Sequence, residues 1–265
     1  ICYVSNAALN RRIRRLDGQQ IMHKHFLIAD SHITGTTKRG LHEKHWEKCL
    51  KLIDKVKPQK ITHLGDLMDF PQLAQYNKAN LKALTEVSLE ADFRRADAFF
   101  NELQSASNAE ISVLEGNHDV RLKKWLKEHP AFEGSLSIKE RLNFVKRGIK
   151  WIDNYTSGSV GRDGDCVFTH GTKIGKHHAY DYLRDSLYGD VNVFYGHIHT
   201  FQQHTLTRAD LRTYTAQCCG CLCTYTPYYL IGYGNNYAPG CTVLTLDKGK
   251  LQQITNYRLD KEVEI

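Results

Sequence analysis

Five short apolar runs in this chain end abruptly in glycine, histidine or acidic residues. They are HKHFLIADSH, KITHLGD, ISVLEGNHD, DCVFTHG and VNVFYGHIH. Their lengths and their β-branched and aromatic content are typical of buried β-strands. A buried strand that ends in polar residues must place them at the end of a sheet, so these runs constrain the fold more than any other feature.

Helical patterns occupy the segments between the runs. In LHEKHWEKCLKLIDKV, residues 41–56, apolar side chains recur at helical spacing on one stripe. A second amphipathic helix begins at Leu89 and ends near Ser105, and Pro130 closes a shorter one that contains Leu122. The strand–helix–strand order predicts an α/β fold with a largely parallel first sheet.

The last third of the chain changes character. Residues 203–223 and 240–258 are rich in Thr, Tyr, Val and Leu, and turn signals such as DKG interrupt them. This pattern predicts antiparallel hairpins, and we expect the β-rich part, residues 203–265, to complete a second sheet packed on the first. No repeat or Pro/Gly-rich linker divides the chain, so a single domain over residues 1–265 is predicted.

The polar strand ends share a set of side chains that suits transition metals. These residues are Asp30, His32, Asp66, Asn117, His118, Asp119, His170, His197 and His199. Carboxylate oxygen, amide oxygen and imidazole nitrogen together favour Mn²⁺, iron or Zn²⁺. In D-x-H and H-x-H alternate residues can point at one ion, and open α/β sheets bind ligands at the carboxyl ends of their strands. We therefore expect these side chains to converge, in sufficient number for two ions that share a carboxylate.

Each strand end taken alone has an ordinary explanation. Asn, His and Asp are common turn residues. The pair Gly65-Asp66 carries little information, and His170 before Gly171 is compatible with a core or turn histidine. The strings GNHD and GHIH are more specific. Their occurrence in order, each after an apolar run, favours one shared site over coincidence.

The order D-x-H, GD-x-x-D, GNHD, H and GH-x-H resembles that of the calcineurin-like metallophosphoesterases, over about residues 24 to 200. The resemblance implies an α/β fold built as a four-layered α/β/β/α sandwich of two mixed sheets flanked by helices. It also implies a dinuclear-metal hydrolase of phosphate monoesters or diesters.

The resemblance further implies which residues hold each ion. Asp30, His32 and His199 would bind the first ion, Asp66 would bridge the two, and Asn117, His170 and His197 would bind the second. Asp69, the last residue of GDLMD, is left out, because the corresponding carboxylate is more often structural than a ligand in this family. Two divalent ions are expected, with Mn²⁺ preferred and iron, Zn²⁺ or Ni²⁺ as alternatives.

The catalytic roles also follow from the resemblance, which implies in-line attack on phosphorus by a metal-bound hydroxide. His118 would protonate the leaving oxygen or stabilise the transition state. Asp119 would fix the tautomer of His118 through a hydrogen bond, or would cap the helix that begins at Val120.

The substrate class is indicated by motif details and by charge. GDLMDFP and GNHD differ from the GD-x-V-D-R-G and GNHE of related phosphoprotein phosphatases, and look closer to the nuclease and phosphodiesterase branches. The formal net charge is +7, and a basic N-terminal segment, residues 1–20, carries Arg11, Arg12, Arg14 and Arg15. Basic excess attracts phosphate-rich partners such as nucleic acid, although a solvated helix face explains the run equally well.

We therefore expect a metal-dependent phosphodiesterase that acts on nucleic acid or nucleotides. A phosphomonoesterase acting on nucleotides or small phosphates is the alternative. A phosphoesterase-like scaffold without turnover is disfavoured, because every expected ligand position is filled. The oligomeric state is left open.

Cysteine usage and hydropathy bear on the setting of the protein. The tract CCGCLC lacks the second ligand pair of a structural zinc site, so packing is favoured over metal binding. No run of about 18 apolar residues predicts a membrane span, and the N-terminus lacks the features of a secretory signal. The chain starts at Ile1 rather than Met, as a fragment or processed form would. We expect reduced thiols and a cytoplasmic location.

Overall fold

The computed structural model describes residues 22–36, 40–74, 88–132, 134–224 and 236–261. Its strands are β1 (His23–Ile28), β2 (Lys60–His63), β3 (Glu110–Leu114), β4 (Lys150–Ile152), β5 (Gly161–Asp163), β6 (Cys166–Thr169), β7 (Asn192–Tyr195), β8 (Phe201–Thr207), β9 (Thr213–Cys219), β10 (Gly240–Asp247) and β11 (Lys250–Arg258). Its helices are α1 (Glu43–Val56), α2 (Leu89–Ala106), α3 (Val120–Glu128), α4 (Ile138–Arg141), α5 (Phe144–Arg147), α6 (Asn154–Ser157) and α7 (His178–Arg184), with short 3₁₀ turns at Pro71–Leu73 and Pro130–Phe132. The basic N-terminal segment, residues 1–20, lies outside the described residues.

The strands form two mixed sheets. The first has the order β11-β10-β1-β2-β3-β4, and the second has the order β5-β6-β7-β9-β8. Strands β1 to β4 run parallel, as do β6, β7 and β9, while the remaining pairings are antiparallel. The five apolar runs of the sequence are β1, β2, β3, β6 and β7, so their prediction as strands is confirmed.

Alternating side chains of the strands build a four-layered structure. Phe26 of β1 packs in a core with helices α1 and α2, whereas its neighbour Leu27 faces the second sheet and packs with Phe194 of β7. On the other face of β7, Tyr195 packs against Tyr182 of helix α7. A slip of one residue would exchange the two faces of a strand, so burial on both faces specifies the register. The predicted α/β/β/α sandwich is confirmed.

The C-terminal hairpins differ from the prediction in one respect. Strands β8 and β9 join the second sheet, but β10 and β11 extend the first sheet beside β1. Strand β10 buries Val243 toward helix α1 and α2 and Leu244 toward the second sheet. A hairpin pattern predicts its own internal pairing but not the sheet that it joins, because that choice depends on contacts distant in sequence. None of the helices within the described ranges is long and apolar enough to cross a membrane.

One buried carboxylate links the two sheets at the end of the sandwich where β1 begins. Asp163 of β5 contacts His23 and His25 of β1, each at 2.8 Å from Oδ2, and Lys60 of β2 donates to Oδ1 at 2.6 Å. The Asp163 side chain is buried. Three donors on a desolvated carboxylate make this contact a polar clamp between the sheets.

Replacement of Asp163 by Asn should lower the free energy of unfolding by about 2–4 kcal/mol at pH 7, because a buried charged acceptor is lost. Burial opposes ionisation of Asp163, but hydrogen bonds from His25, Lys60 and His23 hold its pKa below the usual 3.8. Its stabilising effect is therefore present above about pH 4 and is lost as the pH falls further. Urea unfolding at pH 7 and pH 3 should show the difference from wild type narrowing in acid. Asp210→Asn, at an exposed carboxylate, should change the free energy of unfolding far less, and an equal cost for both variants would contradict the clamp.

Candidate metal centre

The predicted ligands all follow the carboxyl ends of parallel strands. Asp30 and His32 follow β1, Asp66 follows β2, Asn117 follows β3, His170 follows β6, and His197 and His199 follow β7. Because the first three strands belong to one sheet and the other two to the second, the side chains meet only where the two sheets face each other. The structure brings all seven together.

The first group consists of Asp30, His32, Asp66 and His199, each of which offers one metal-ligating atom within 4.8 Å of the others. His32 Nε2 lies 3.1 Å from His199 Nε2. His199 Nε2 lies 3.3 Å from Asp30 Oδ1, and His32 Nε2 lies 3.6 Å from Asp66 Oδ2. All four residues are buried. Two carboxylates and two imidazoles can hold one divalent cation here.

The second group consists of Asp66, His170 and His197, again within 4.8 Å. Asn117 Oδ1 lies 2.8 Å from His170 Nε2 and 2.9 Å from His197 Nδ1. Asp66 Oδ1 lies 3.4 Å from His170 Nε2. Asp66 thus belongs to both groups, which is the position predicted for the bridging carboxylate. The roles of individual ligands stay predictions.

The orientation of the histidine rings fits a cation at each group. His170 Nδ1 lies 3.0 Å from the Leu64 carbonyl oxygen, so this nitrogen carries the proton that it donates. In a neutral ring the Nε2 lone pair then faces Asn117 Oδ1, and two acceptors at 2.8 Å need a cation or a second proton between them. His32 repeats the arrangement, with Nδ1 3.3 Å from Asp69 Oδ1 and Nε2 directed into the first group. Metal-binding histidines are oriented in this way by their other nitrogen.

Electrostatics within the two groups also favours a bound cation or added protons. Burial lowers the pKa of His170, but the carboxylate of Asp66 outweighs it and raises the pKa to about 9. Asp30 in the same way raises the pKa of His199 to about 9, against burial. Burial opposes ionisation of Asp66, yet the histidines around it hold its pKa well below the usual value. Protons on these imidazoles therefore balance the carboxylates when no cation does.

The β1, β2 and β7 loops adopt a costly backbone conformation to reach this arrangement. Five predicted ligands have φ between 46° and 73°, namely Asp30, His32, Asp66, His197 and His199. Asp30 N–H donates to the Gly65 carbonyl at 3.1 Å, and His32 N–H donates to that of Asp66 at 2.9 Å. Each left-handed residue costs about 1–2 kcal/mol. The surrounding fold must hold this strain, which is typical of functional sites.

Glycines before the ligands permit close contact between loops. A Cβ atom added to Gly116 would lie 2.1 Å from the backbone nitrogen of Asp66, and one added to Gly196 would lie 2.6 Å from Asp30 Oδ2. Both glycines thus belong to the site by steric necessity, because a ligand from another strand occupies the space of a side chain.

The predicted role of Asp119 is wrong, while the role of His118 stays a prediction. His118 Nδ1 contacts Asp69 Oδ1 at 2.6 Å, so Asp69 is the carboxylate that orients this ring. Asp119 instead accepts hydrogen bonds from the backbone N–H groups of Gly116 at 2.8 Å and Met68 at 2.9 Å. It also makes no side-chain capping bond to helix α3. Neighbouring residues at the start of a helix point about 100° apart, and this turns Asp119 away from His118.

Asp119 therefore joins the GNHD loop to the GDLMD loop. Its side chain is buried. Burial and the negative charge of Asp66 raise its pKa to about 7, although the two backbone N–H groups favour the carboxylate. Its contribution to the site is to hold one ligand loop against another.

Sequence reasoning missed three residues that contact this centre. Arg121 Nη2 lies 3.0 Å from His118 Nε2; their i, i+3 spacing on a predicted helix is the signal that could have found it. Cys223 Sγ lies 3.7 Å from Nδ1 of His199, and the Tyr237 ring packs on the same imidazole at 4.3 Å. No local pattern marked either contact, because both join segments distant in sequence.

The cysteine tract is buried, in line with the packing interpretation. Its four cysteines, Cys218, Cys219, Cys221 and Cys223, are buried free thiols. Cys223 also lies beside the metal centre, where its thiol, His32 and His199 form a further group of metal-ligating atoms. Packing accounts for the tract as a whole, with one thiol at the border of the metal centre.

Comparison with known proteins identifies the family. The sequence model of the calcineurin-like phosphoesterase family matches residues 24–218, and the chain belongs to this family. A curated relative, the Gene 54 protein of Mycobacterium phage D29, is 23% identical over 154 residues, which are 56% of each chain. The Gene 54 protein of Mycobacterium phage L5 is 23% identical over 153 residues, again 56% of each. The chain thus spans about half the length of the curated relatives it matches.

Solved structures give distant matches. A nuclease MPE from Pseudomonas putida aligns with a TM-score of 0.35 and 14% identity over 73% of each chain. A dimetal phosphatase from Danio rerio aligns with a TM-score of 0.45 and 9% identity over 91% of this chain and 100% of that one. The fold assignment therefore depends on the packing of the two sheets and not on these superpositions.

Protons and metal ions should compete for this centre. His170 and His199, with pKa values raised above the usual 6.5 to about 9, each carry a second proton at pH 7 in the metal-free protein. A bound cation must displace these protons, so apparent Mn²⁺ affinity should rise from pH 6 toward pH 9, by up to about tenfold per unit for each proton released. Calorimetry in two buffers of different ionisation enthalpy should detect about one to two protons released per chain. Flat affinity and no buffer dependence would contradict this assignment; His170→Asn should release one proton fewer.

Proposed function

We propose that this protein is a dinuclear-metal-dependent phosphoesterase that hydrolyses phosphodiester bonds, with nucleic acid or nucleotides as its substrate class. The observation that carries the proposal is the convergence of two donor groups on the shared carboxylate of Asp66. His118 Nε2 lies 3.9 Å from Asp66 Oδ2. A potential proton-transfer group thus borders both proposed cation sites.

The proposed ligands are those predicted from the sequence. Asp30, His32 and His199 would hold one ion, Asn117, His170 and His197 the other, and Asp66 would contact both. When bound, two such cations lower the pKa of a coordinated water and offset the negative charge of phosphoryl oxygens. We favour Mn²⁺, with iron, Zn²⁺ or Ni²⁺ as alternatives that suit the same donors.

His118 and Asp69 form the proposed proton-handling pair. The 2.6 Å contact between His118 Nδ1 and Asp69 Oδ1 fixes which nitrogen faces the centre. Burial opposes ionisation of Asp69, but its bonds with His118 and His32 hold its pKa below the usual range. An ionised Asp69 keeps the proton on Nδ1, so Nε2 is the atom that would exchange a proton with the leaving oxygen or bond to the transition state.

The charge of the protein supports diesters of nucleic acid. A formal net charge of +7 raises the local concentration of polyanions. The second candidate, a phosphomonoesterase, is favoured by Arg121, whose guanidinium nitrogen lies 3.0 Å from His118 Nε2. A dianionic monoester gains more from this charge than a monoanionic diester does.

A substrate panel tests the proposal. Protein loaded with Mn²⁺ should hydrolyse bis-p-nitrophenyl phosphate faster than p-nitrophenyl phosphate, and should cut single-stranded DNA or RNA. His118→Ala should lower kcat by about 10²–10⁴-fold, because a proton-transfer group is lost. His129→Ala, at an exposed histidine of the same segment, is the matched control and should change kcat little. Faster turnover of the monoester would replace the diesterase proposal with the alternative, and inactivity on every substrate would refute both.

Asp69 and Asp119 should respond differently to the same substitution. Asp69→Asn should lower kcat of the folded protein about 10–100-fold, because the carboxylate that orients His118 and His32 is lost. Asp119→Asn should lower the free energy of unfolding by about 1–3 kcal/mol, because a single amide oxygen leaves one backbone N–H unsatisfied. Steady-state kinetics and urea unfolding of both variants separate the effects. Equal losses of kcat in two well-folded variants would contradict the assignment.

A further inference from the structure

We propose that Arg121 binds the phosphoryl oxygens of the substrate and leaves His118 Nε2 in order to do so. The inference rests on the proposed function, because it assigns the residue that recognises the phosphate of that reaction. It also explains why a guanidinium is held against the imidazole that borders the metal centre.

Arg121 is held firmly at one side of its guanidinium. Nη1 donates to the backbone carbonyl of Asp69 at 2.7 Å and lies 3.4 Å from its Oδ1. The side chain is only 16% exposed. A guanidinium that is fixed and partly desolvated loses little entropy when it forms further bonds, and its charge is weakly screened.

The other side of the guanidinium faces the reacting nitrogen. Since Nδ1 of His118 donates to Asp69, its Nε2 carries the lone pair that accepts from Arg121 Nη2 at 3.0 Å. In this arrangement the lone pair is occupied. Nε2 can accept a proton or bond to a substrate atom only after Arg121 moves to another acceptor.

A phosphate at the metal centre is within reach of Arg121. His118 Nε2 lies 3.0 Å from Arg121 Nη2 and 3.9 Å from Asp66 Oδ2. Arg121 Nη2 and Asp66 Oδ2 are therefore at most 6.9 Å apart. A phosphoryl oxygen near Asp66 would therefore lie within reach of Arg121. Its charged oxygen is a stronger acceptor for a guanidinium than a neutral imidazole nitrogen. Arrival of phosphate would therefore move Nη2 from nitrogen to oxygen and release His118.

Phosphate binding tests this role without turnover. Inorganic phosphate should be titrated by calorimetry into Mn²⁺-loaded wild type, Arg121→Met, Arg121→Lys and Lys124→Met. Arg121→Met should weaken binding about 10–100-fold through loss of a charged hydrogen bond. Arg121→Lys should show a smaller loss, because it keeps the charge but not the planar fork. Lys124→Met removes a cation from the exposed side of helix α3 and should change affinity less than about twofold.

Metal content and thermal unfolding of each variant identify effects on the centre itself. Weakened phosphate binding with normal metal content supports the proposal, even if every ester of the substrate panel is left intact. Phosphate affinity of Arg121→Met within about twofold of wild type overturns it, as does a metal-loaded wild type that binds no phosphate. If Arg121→Met fails to fold, Arg121→Lys decides, and unchanged affinity in that variant overturns the proposal.

Discussion

The buried carboxylate of Asp66 is the constraint on which the rest of the site depends. It lies among histidines supplied by both sheets, and its ionised form is stable there only because positive charge surrounds it. Asp66 itself packs so closely against the β3 loop that Gly116 has no room for a side chain. The backbone of Asp66 is left-handed, and its carbonyl accepts from His32 N–H at 2.9 Å. Charge, steric fit and backbone strain thus converge at one residue.

The packing of the two sheets stabilises the positions of the strand ends that carry the site. Alternating side chains of β1 and β7 are buried on both faces, so neither strand can shift its register without exposing apolar surface. Each large apolar side chain buried in this way contributes about 1.5–3 kcal/mol. This packing energy offsets the cost of the strained loops at the strand ends. The Asp163 clamp supports the opposite end of the same two sheets.

Around this centre three neighbouring polar residues have distinct tasks. Asp69 orients His118 through a short contact, Asp119 joins two loops through backbone hydrogen bonds, and Arg121 occupies the outer nitrogen of the imidazole. The division follows from direction in space, because His118, Asp119 and Arg121 leave the start of helix α3 at different angles and meet different partners. Membership of the calcineurin-like phosphoesterases is consistent with this organisation but does not assign the tasks.

The family resemblance implied the four-layered fold. The five apolar strands, the amphipathic helices and the residues that meet at the strand ends could be predicted from the sequence pattern itself. Residue type and periodicity carry this information, because burial on one or two faces produces a pattern readable within a few residues. Tertiary structure alone decided that β10 and β11 join the first sheet and that Asp69 rather than Asp119 pairs with His118. It also placed Cys223 beside His199 and the Arg121 guanidinium beside the Asp69 carbonyl. These contacts depend on the angles at which loops distant in sequence pack together, and no periodicity within a single segment records such an angle.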